Sequence, residues 1–258
     1  MTGRPSSDGS PPGASGPTTR ALAIIPARGG SKRIPRKNVK PFLGQPIIKY
    51  SIEAARDAGL FDEIMVSSDD AEIRALALGL GATAPFARSA AASSDTATTA
   101  AVLVEVLDAY RDAGRTFDFV CCVYPTAPFV TAARLREAWK LLQETGADSA
   151  LPVTRFSFPI WRAFKIEEGR VAFQWPENAL RRSQDLPPAF HDCGQFYLLR
   201  TSSFRAHGSL LMPHTVPVMV PESEAQDIDT EEDWKLAELK YAQLAASSKP
   251  RAAEKAER

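Results

Sequence analysis

The chain has 258 residues, enough for one large domain with a substantial core, and its 44% apolar and 24% charged residues are ordinary for a globular protein. Lys plus Arg equals Asp plus Glu at 31 each, which excludes a global nucleic-acid or membrane-surface footprint but leaves room for a local basic patch. The cysteines Cys121, Cys122 and Cys193 form no C-x-x-C pair, so neither a disulfide framework nor a zinc site is expected, and a reducing cytoplasm fits.

Residues 1–20 hold four Gly, four Pro, four Ser and three Thr with almost nothing apolar, and are expected to form a disordered extension rather than a secretory signal. "ALAIIPA" (21–27) is a continuous apolar run, as in a strand buried on both faces. Pro46 opens a helix in which Ile47, Ile48, Ile52 and Ala55 recur at helical spacing up to Gly59. "EIMVSS" (63–68) predicts the next strand, and "DDAEIRALALGLG" a helix with acidic residues in its first turn and a glycine stop. A short strand around 82–86 is expected to lead into a helix over 94–114, with a stripe of Val102, Leu103, Val106, Leu107 and Tyr110. "FDFVCCVYP" (117–125) and "SALPV" (149–153) predict strands on either side of the helix "TAARLREAWKLLQETG".

Between about 155 and 192 this rhythm breaks into mixed aromatics, prolines and charges, which predicts a strand-rich insertion. Its Phe156, Phe158, Trp161, Phe164, Phe173 and Trp175 exceed what a small exposed insertion should carry, so a partner surface is expected there. "GQFYLLR", "TVPVMVP" and a last helix from about Thr230 resume the pattern, and residues 246–258 are expected to fray. The fold class is therefore α/β: a Rossmann-like, mostly parallel sheet with helices on both faces, occupying 21–245.

In such sheets ligands sit beyond the carboxyl ends of strands. After the first strand, Arg28, Lys32, Arg33, Arg36, Lys37 and Lys40 follow one another through the Gly29–Gly30 pair, which lets backbone amides approach an anion. Many donors with compensating charge suit a triphosphate, although neither a Walker A loop nor G-x-G-x-x-G is present; a solvated basic loop is the plainer alternative. In "QDIDTEED" (226–233), Asp227 and Asp229 alternate, so an extended segment would present both carboxylates on one side for Mg²⁺. Asp229 or Thr230 capping the last helix, with Glu232 or Asp233, explains the same stretch equally well. Arg88 with Ser94, Asp95 and Thr96 offers polar groups for a base or ribose, or else a helix cap. Of the histidines only His191, beside Asp192, lies near candidate site residues.

Five ordered stretches, "IIPARGGSKRIPRKNVKPFLGQPII", "VSSDD", "SSDTATT", "YPTAPF" and "QDIDTEEDW", together resemble the CMP–nonulosonic acid synthetases, over nearly all of 21–245. The related enzymes that activate an eight-carbon sugar acid carry a loop nearer to A-R-x-x-S-T-R-L-P-G-K, unlike the one here. "RFSFPIWRAF" and "RRSQDLPPAFHDCGQFY" are similar to the pseudaminic acid members more than to the sialic acid ones, which carry Gln where this chain has Tyr124. The resemblance implies a homodimeric nucleotidyltransferase joining CTP to a nine-carbon α-keto sugar acid with Mg²⁺, with sialic or legionaminic acid as alternative acceptors. It implies that Arg28, Ser31 and Lys37 with the Gly29–Gly30 amides hold the triphosphate, and that Asn38, Arg88 and the Ser94–Asp95–Thr96 turn contact the cytidine half. Asp227 and Asp229 would carry the metal, with Asp227 helping to deprotonate the acceptor. Tyr124, His191 and Gln195 would face the sugar, and Arg162 or Arg182 would pair its carboxylate. A non-catalytic nucleotide-binding protein is the alternative from another class.

Overall fold

The computed structural model describes residues 19–248. In chain order the elements are β1 (Ala21–Pro26), β2 (Pro41–Phe42), β3 (Gln45–Pro46), α1 (Ile47–Ala58), β4 (Glu63–Ser67), α2 (Ala71–Gly79), α3 (Ala90–Ser93) and α4 (Thr99–Asp112). They continue with β5 (Phe119–Val123), α5 (Ala132–Thr145), β6 (Ser149–Arg155), β7 (Phe164–Glu167), β8 (Arg170–Phe173), β9 (Phe190–Asp192), β10 (Phe196–Arg200), α6 (Thr201–His207), β11 (Thr215–Met219) and α7 (Glu231–Ser248).

The main sheet runs β11-β6-β10-β5-β1-β4, with β9 added against β6. β1 lies parallel to β4 and β5, and β11 parallel to β6, while β10 runs antiparallel between β5 and β6. The continuous apolar character of β1 follows from burial on both faces. Leu22 and Ile24 enter a core with Leu103, Val106 and Tyr110 of α4, whereas Ile25 enters another with Ile52 of α1 and Leu135 of α5. Adjacent Cys121 and Cys122 divide between these two cores in the same way. Burial lifts the Cys122 thiol to about 12, so it packs as an inert apolar side chain.

Several boundaries differ from the sequence reading. The strand expected at 82–86 reduces to isolated bridges from Thr83 to Met65 and from Ala87 to Ser68. The helix expected from 94 begins at Thr99, because Thr98 caps it by accepting from the Ala101 amide at 3.2 Å. Within 155–192 the regular structure is the short β7–β8 hairpin, β9 and several 3₁₀ turns, so this segment is turn-rich as much as strand-rich. α6 answers no helix signal in the sequence, since its first turn is Thr-Ser-Ser and no side chain caps it. α7 continues through Ser248, past the expected fraying point at 246; of the extension expected at 1–20, residues 1–18 lie outside the described residues, whereas Arg20 is held by Asp118 and the Phe117 ring.

A third cluster joins Ile34, Phe42 and Ile47 to Ile228, Trp234 and Ala237, uniting the first loop with the last helix. Phe42 meets Tyr50, Trp234 and Tyr241 edge-on, with centroids 5.4–5.7 Å apart.

At the sheet edge Glu63 accepts from Thr83 Oγ1 at 2.6 Å and from the Tyr110 hydroxyl, and pairs with Arg115 at 2.5 Å. Burial alone would raise its pKa, but these hydrogen bonds and the Arg115 charge outweigh that and hold it below the usual carboxylate range. A depressed folded-state pKa contributes stability that is present above the unfolded value and is lost as pH falls through the folded one. Glu63→Gln is expected to destabilise the protein by about 1–3 kcal/mol at neutral pH. It should also flatten the acid limb of stability in denaturant titrations run from about pH 7 to about pH 3.

Candidate active site

A cleft of about 420 Å³ opens beyond the carboxyl ends of β1 and β5, lined among others by Arg28, Ser31, Lys37, Arg88, Asp95 and Tyr124. The loop after β1 is held open by specific contacts. Asn38, buried, donates from Nδ2 to the Arg28 carbonyl at 2.8 Å, and Arg36 adopts left-handed backbone (φ 53°) with its guanidinium on Asp70 and Glu72. Arg28 and Lys32 both reach Asp95, and these cations hold its carboxyl below the usual range. Arg88 is buried, and among the described residues its guanidinium hydrogen-bonds only Ser67, through Nε to Oγ at 3.1 Å and Nη2 to the carbonyl at 2.6 Å. Burial lowers its pKa, opposed by the charges of Asp69 and Glu105. A desolvated guanidinium with no carboxylate in contact makes the cleft receptive to an anion.

The capping question at the end of the chain resolves onto Thr230. Thr230 Oγ1 accepts from the Asp233 amide at 3.2 Å, and Asp233 Oδ2 accepts from the Thr230 amide at 2.8 Å, a reciprocal cap for α7. Asp227 and Asp229 are thereby free of a capping role. Asp229 pairs with Arg33 at 2.8 Å and with Lys37 at 3.4 Å, and the Lys37 ammonium also donates to the Ile228 carbonyl. Lys37 and Arg33 line the cleft, so Asp229, which pairs with both, lies beside it across some 190 residues of sequence. Asp227 is reachable from solvent yet crowded within its concavity; this partial desolvation raises its pKa, and the charge of Asp229 adds to the effect. Two adjoining carboxylates, one of them destabilised as an anion and the other neutralised by two cations, are oxygen donors that fit a hard divalent ion, which typically takes one or two carboxylates plus substrate phosphates.

A second cavity of about 350 Å³ adjoins Asp227 and is lined by Thr154, His191, Asp192, Gln226 and Lys240. Asp192 accepts from the Gly194 amide at 2.7 Å and from the Tyr197 hydroxyl. Gly194 has φ +62°, a left-handed conformation that favours glycine, and a Cβ there would lie 3.3 Å from the Asp227 carboxyl, a tight contact to which that side chain would have to yield. Lys240 reaches back from α7 to the Ala225 carbonyl at 2.9 Å and to Gln226 Oε1 at 3.0 Å, tethering the segment that carries Asp227. Sequence reasoning left Lys240 out, because a lysine on the last helix reads as a solvated charge; Asp192 was signalled only by its place beside His191.

The remaining candidates fall at different places. Tyr124 lines the first cleft and bonds Thr99 Oγ1 at 3.2 Å, with burial raising its hydroxyl to about 12. Ser94 lines it too, whereas Thr96 sits outside, beside the Ser94 hydroxyl. The Gly29 amide donates to Asp69 Oδ1 at 2.9 Å and the Ser31 amide to the Gly29 carbonyl at 3.1 Å, while Gly30 has open space around it. Gln195 is buried, donating from Nε2 to the Glu224 carbonyl at 2.7 Å, with its Oε1 buried and without a hydrogen-bond partner among the described residues; it is not among the residues lining either cavity. His191 lines the second cavity, its ring 4.6 Å from Phe156. Arg182 is turned to solvent with Asp185 at 2.8 Å, and Arg162 sits beside Trp161 in a 3₁₀ turn; neither lines either cavity.

A Cβ at Gly29 would stand 2.9 Å from Asp70 Oδ2 and 3.0 Å from its Cβ, and Asp70 is fixed as the cap of α2. Gly29→Ala is therefore expected to cost about 1–3 kcal/mol by overpacking. A lower denaturant midpoint with an unchanged m-value checks this.

The family model described as Cytidylyltransferase matches residues 22–207. The chain is 40% identical to the pseudaminic acid cytidylyltransferase of Campylobacter jejuni over 221 residues, covering 85% of this chain and 95% of that protein. It is 31% identical to the CMP-N,N'-diacetyllegionaminic acid synthase of Legionella pneumophila, over 85% and 95% of the respective chains. In fold it resembles a CMP:2-keto-3-deoxy-manno-octonic acid synthetase solved with CTP, with a TM-score of 0.64 at 17% identity over 88% of this chain and 100% of that one.

Proposed function

The chain belongs to the cytidylyltransferase family and is a nucleotidyltransferase, and we propose that it transfers CMP from CTP to pseudaminic acid, releasing pyrophosphate. The observation that supports this reading is that Asp229 pairs with Lys37 and Arg33 of the cleft-lining loop, with Asp227 two residues before it lining the second cavity. The acceptor follows from the 40%-identical relative, whose name specifies pseudaminic acid.

In this reading the triphosphate lies along Arg28, Ser31 and Lys37, and Arg88, Ser94 and Asp95 line the cytidine half. The sugar acid enters by the second cavity, past His191 and Asp192. Its anomeric hydroxyl oxygen attacks the α-phosphorus, and the bond from that phosphorus to the bridging oxygen breaks as pyrophosphate leaves. Asp227, whose pKa is raised by burial and by Asp229, is suited to take the hydroxyl proton. Asp227 and Asp229 would hold a Mg²⁺ ion, which when bound would supply charge neutralisation to the phosphates. Lys37 and Arg33, already on Asp229, orient that carboxylate and add positive charge where the transferred group becomes more negative.

A homodimer is part of the same reading. Phe158 is 82% exposed and Leu180 98% exposed, in the segment that carries the aromatics singled out in the sequence. Among the described residues no helix is long and apolar enough to cross a membrane, and the cytoplasm is the compartment proposed.

A panel of pseudaminic, legionaminic and sialic acids with CTP, scored by pyrophosphate release, tests the assignment: pseudaminic acid should give the highest kcat/KM, and no release with any of them would overturn it. Asp227→Asn and Asp229→Asn should each lower turnover by about 10²-fold or more. Wild-type turnover in both would remove the metal assignment.

A further inference from the structure

A different cleft, of about 330 Å³, opens at the opposite end of the sheet. Its walls are Arg111 at the end of α4, Arg115 and Phe117 before β5, Arg200 at the end of β10, and Thr201 and Arg205 of α6. β5 separates it from the catalytic cleft: Asp118 precedes the strand here and Tyr124 follows it there, roughly 20 Å away at about 3.3 Å per residue.

The four arginines of this cleft are matched in number by Glu63, Asp108, Asp112 and Asp118, but the pairing is uneven. Arg111 and Arg205 share one oxygen of Asp108, each at 2.9 Å, and Arg111 also meets Asp112 at 3.1 Å. Arg115 is paired with Glu63, and Asp118 accepts from the Arg20 amide. Arg200 makes no ion pair among the described residues; its guanidinium lies 5.0 Å above the Phe119 ring. Beside it the Thr201 hydroxyl oxygen is buried with no hydrogen-bond partner among the described residues. Unpaired donors next to stacked arginines are what a compact, multiply charged anion satisfies. Arginines converging from separate elements favour a tetrahedral group, whose oxygens point in several directions, over a flat carboxylate. The volume lies at the lower end of the range for small-molecule sites, about 300–1,000 Å³.

We propose that this arginine-lined cleft is a second anion site, distinct from the catalytic one, which binds the phosphoryl group of a small molecule through Arg200 and Arg205.

The test is calorimetric titration of inorganic phosphate into the full chain and its variants. Because the catalytic loop is also basic, the Lys37→Met variant, whose change lies in the catalytic cleft, defines the binding at the second one. Saturable phosphate binding is expected in Lys37→Met, and it should weaken about tenfold or more when Arg200→Gln or Arg205→Gln is added. Arg200→Gln alone breaks no ion pair, so its unfolding temperature and its turnover in phosphate-free buffer should match wild type. Thr201→Val should weaken phosphate without lowering the unfolding temperature, a combination that a purely structural role would not give. Binding unchanged by both arginine substitutions, or no saturable binding in Lys37→Met, would overturn the proposal. Equal competition by acetate would overturn the phosphoryl assignment.

Discussion

Packing between two distant parts of the chain governs the site. Ile34 and Phe42, just after the first strand, close against Ile228 and Trp234, just before and within the last helix. Lys40 adds to the contact, with its ammonium 4.5 Å from the Trp234 ring centroid and a 2.5 Å ion pair to Glu231. The loop that carries Lys37 and the segment that carries Asp229 have no other reason to meet, since they are not neighbours in the sheet. Apolar burial sets where the charges stand, and the charges then decide what the cleft accepts. A half-buried surface ion pair contributes little on its own, so the aromatic packing has to fix the geometry that Lys37 and Asp229 share.

The cleft itself is an exercise in tolerated electrostatic strain. Arg88 is buried with only serine and backbone oxygens in contact, and Asp227 is crowded beside another carboxylate. Each arrangement disfavours the charged form in the free protein and favours a ligand of opposite sign. Around them, neutral contacts hold the framework: Asn38 on the Arg28 carbonyl, Lys240 on the Ala225 carbonyl, Gln195 on the Glu224 carbonyl. These supporting side chains spend their hydrogen bonds on backbone, which leaves the cleft's own groups available.

Much of this was legible in the sequence, and for identifiable reasons. The α/β order could be read because β1 and β5 are apolar without interruption and the long helices carry stripes such as Val102–Val106–Tyr110. The basic loop and the alternating aspartates were visible because local composition there is unusual. What escaped notice depends on contacts between distant residues. Nothing adjacent to Ile34 announces that it will be fully buried against Ile228, and Gln195 looks like a ligand-facing amide until Glu224 is seen beneath it. The Gly-Gly turn was read as flexible and open, whereas Gly29 is needed for a close approach to Asp70. α6, with only seven residues and no cap, sits below the length at which periodicity speaks.

The reversed direction of β10 has a consequence for how this molecule can vary. β6 runs toward the cleft end of the sheet and β10 starts from that same end, so the residues between them depart and return on one side. Outside β9, an excursion with neighbouring endpoints can lengthen, shorten or exchange its content while the ladders of β10 with β5 and β6 keep their register, and added length in such a loop costs conformational entropy only slowly. In the reading proposed above, His191 and Asp192 on the acceptor side would come from this excursion, and Arg28 and Lys37 on the nucleotide side from the loop after β1. A change in the length or content of the excursion would then alter the wall that meets the sugar while leaving the loop after β1 where the sheet holds it.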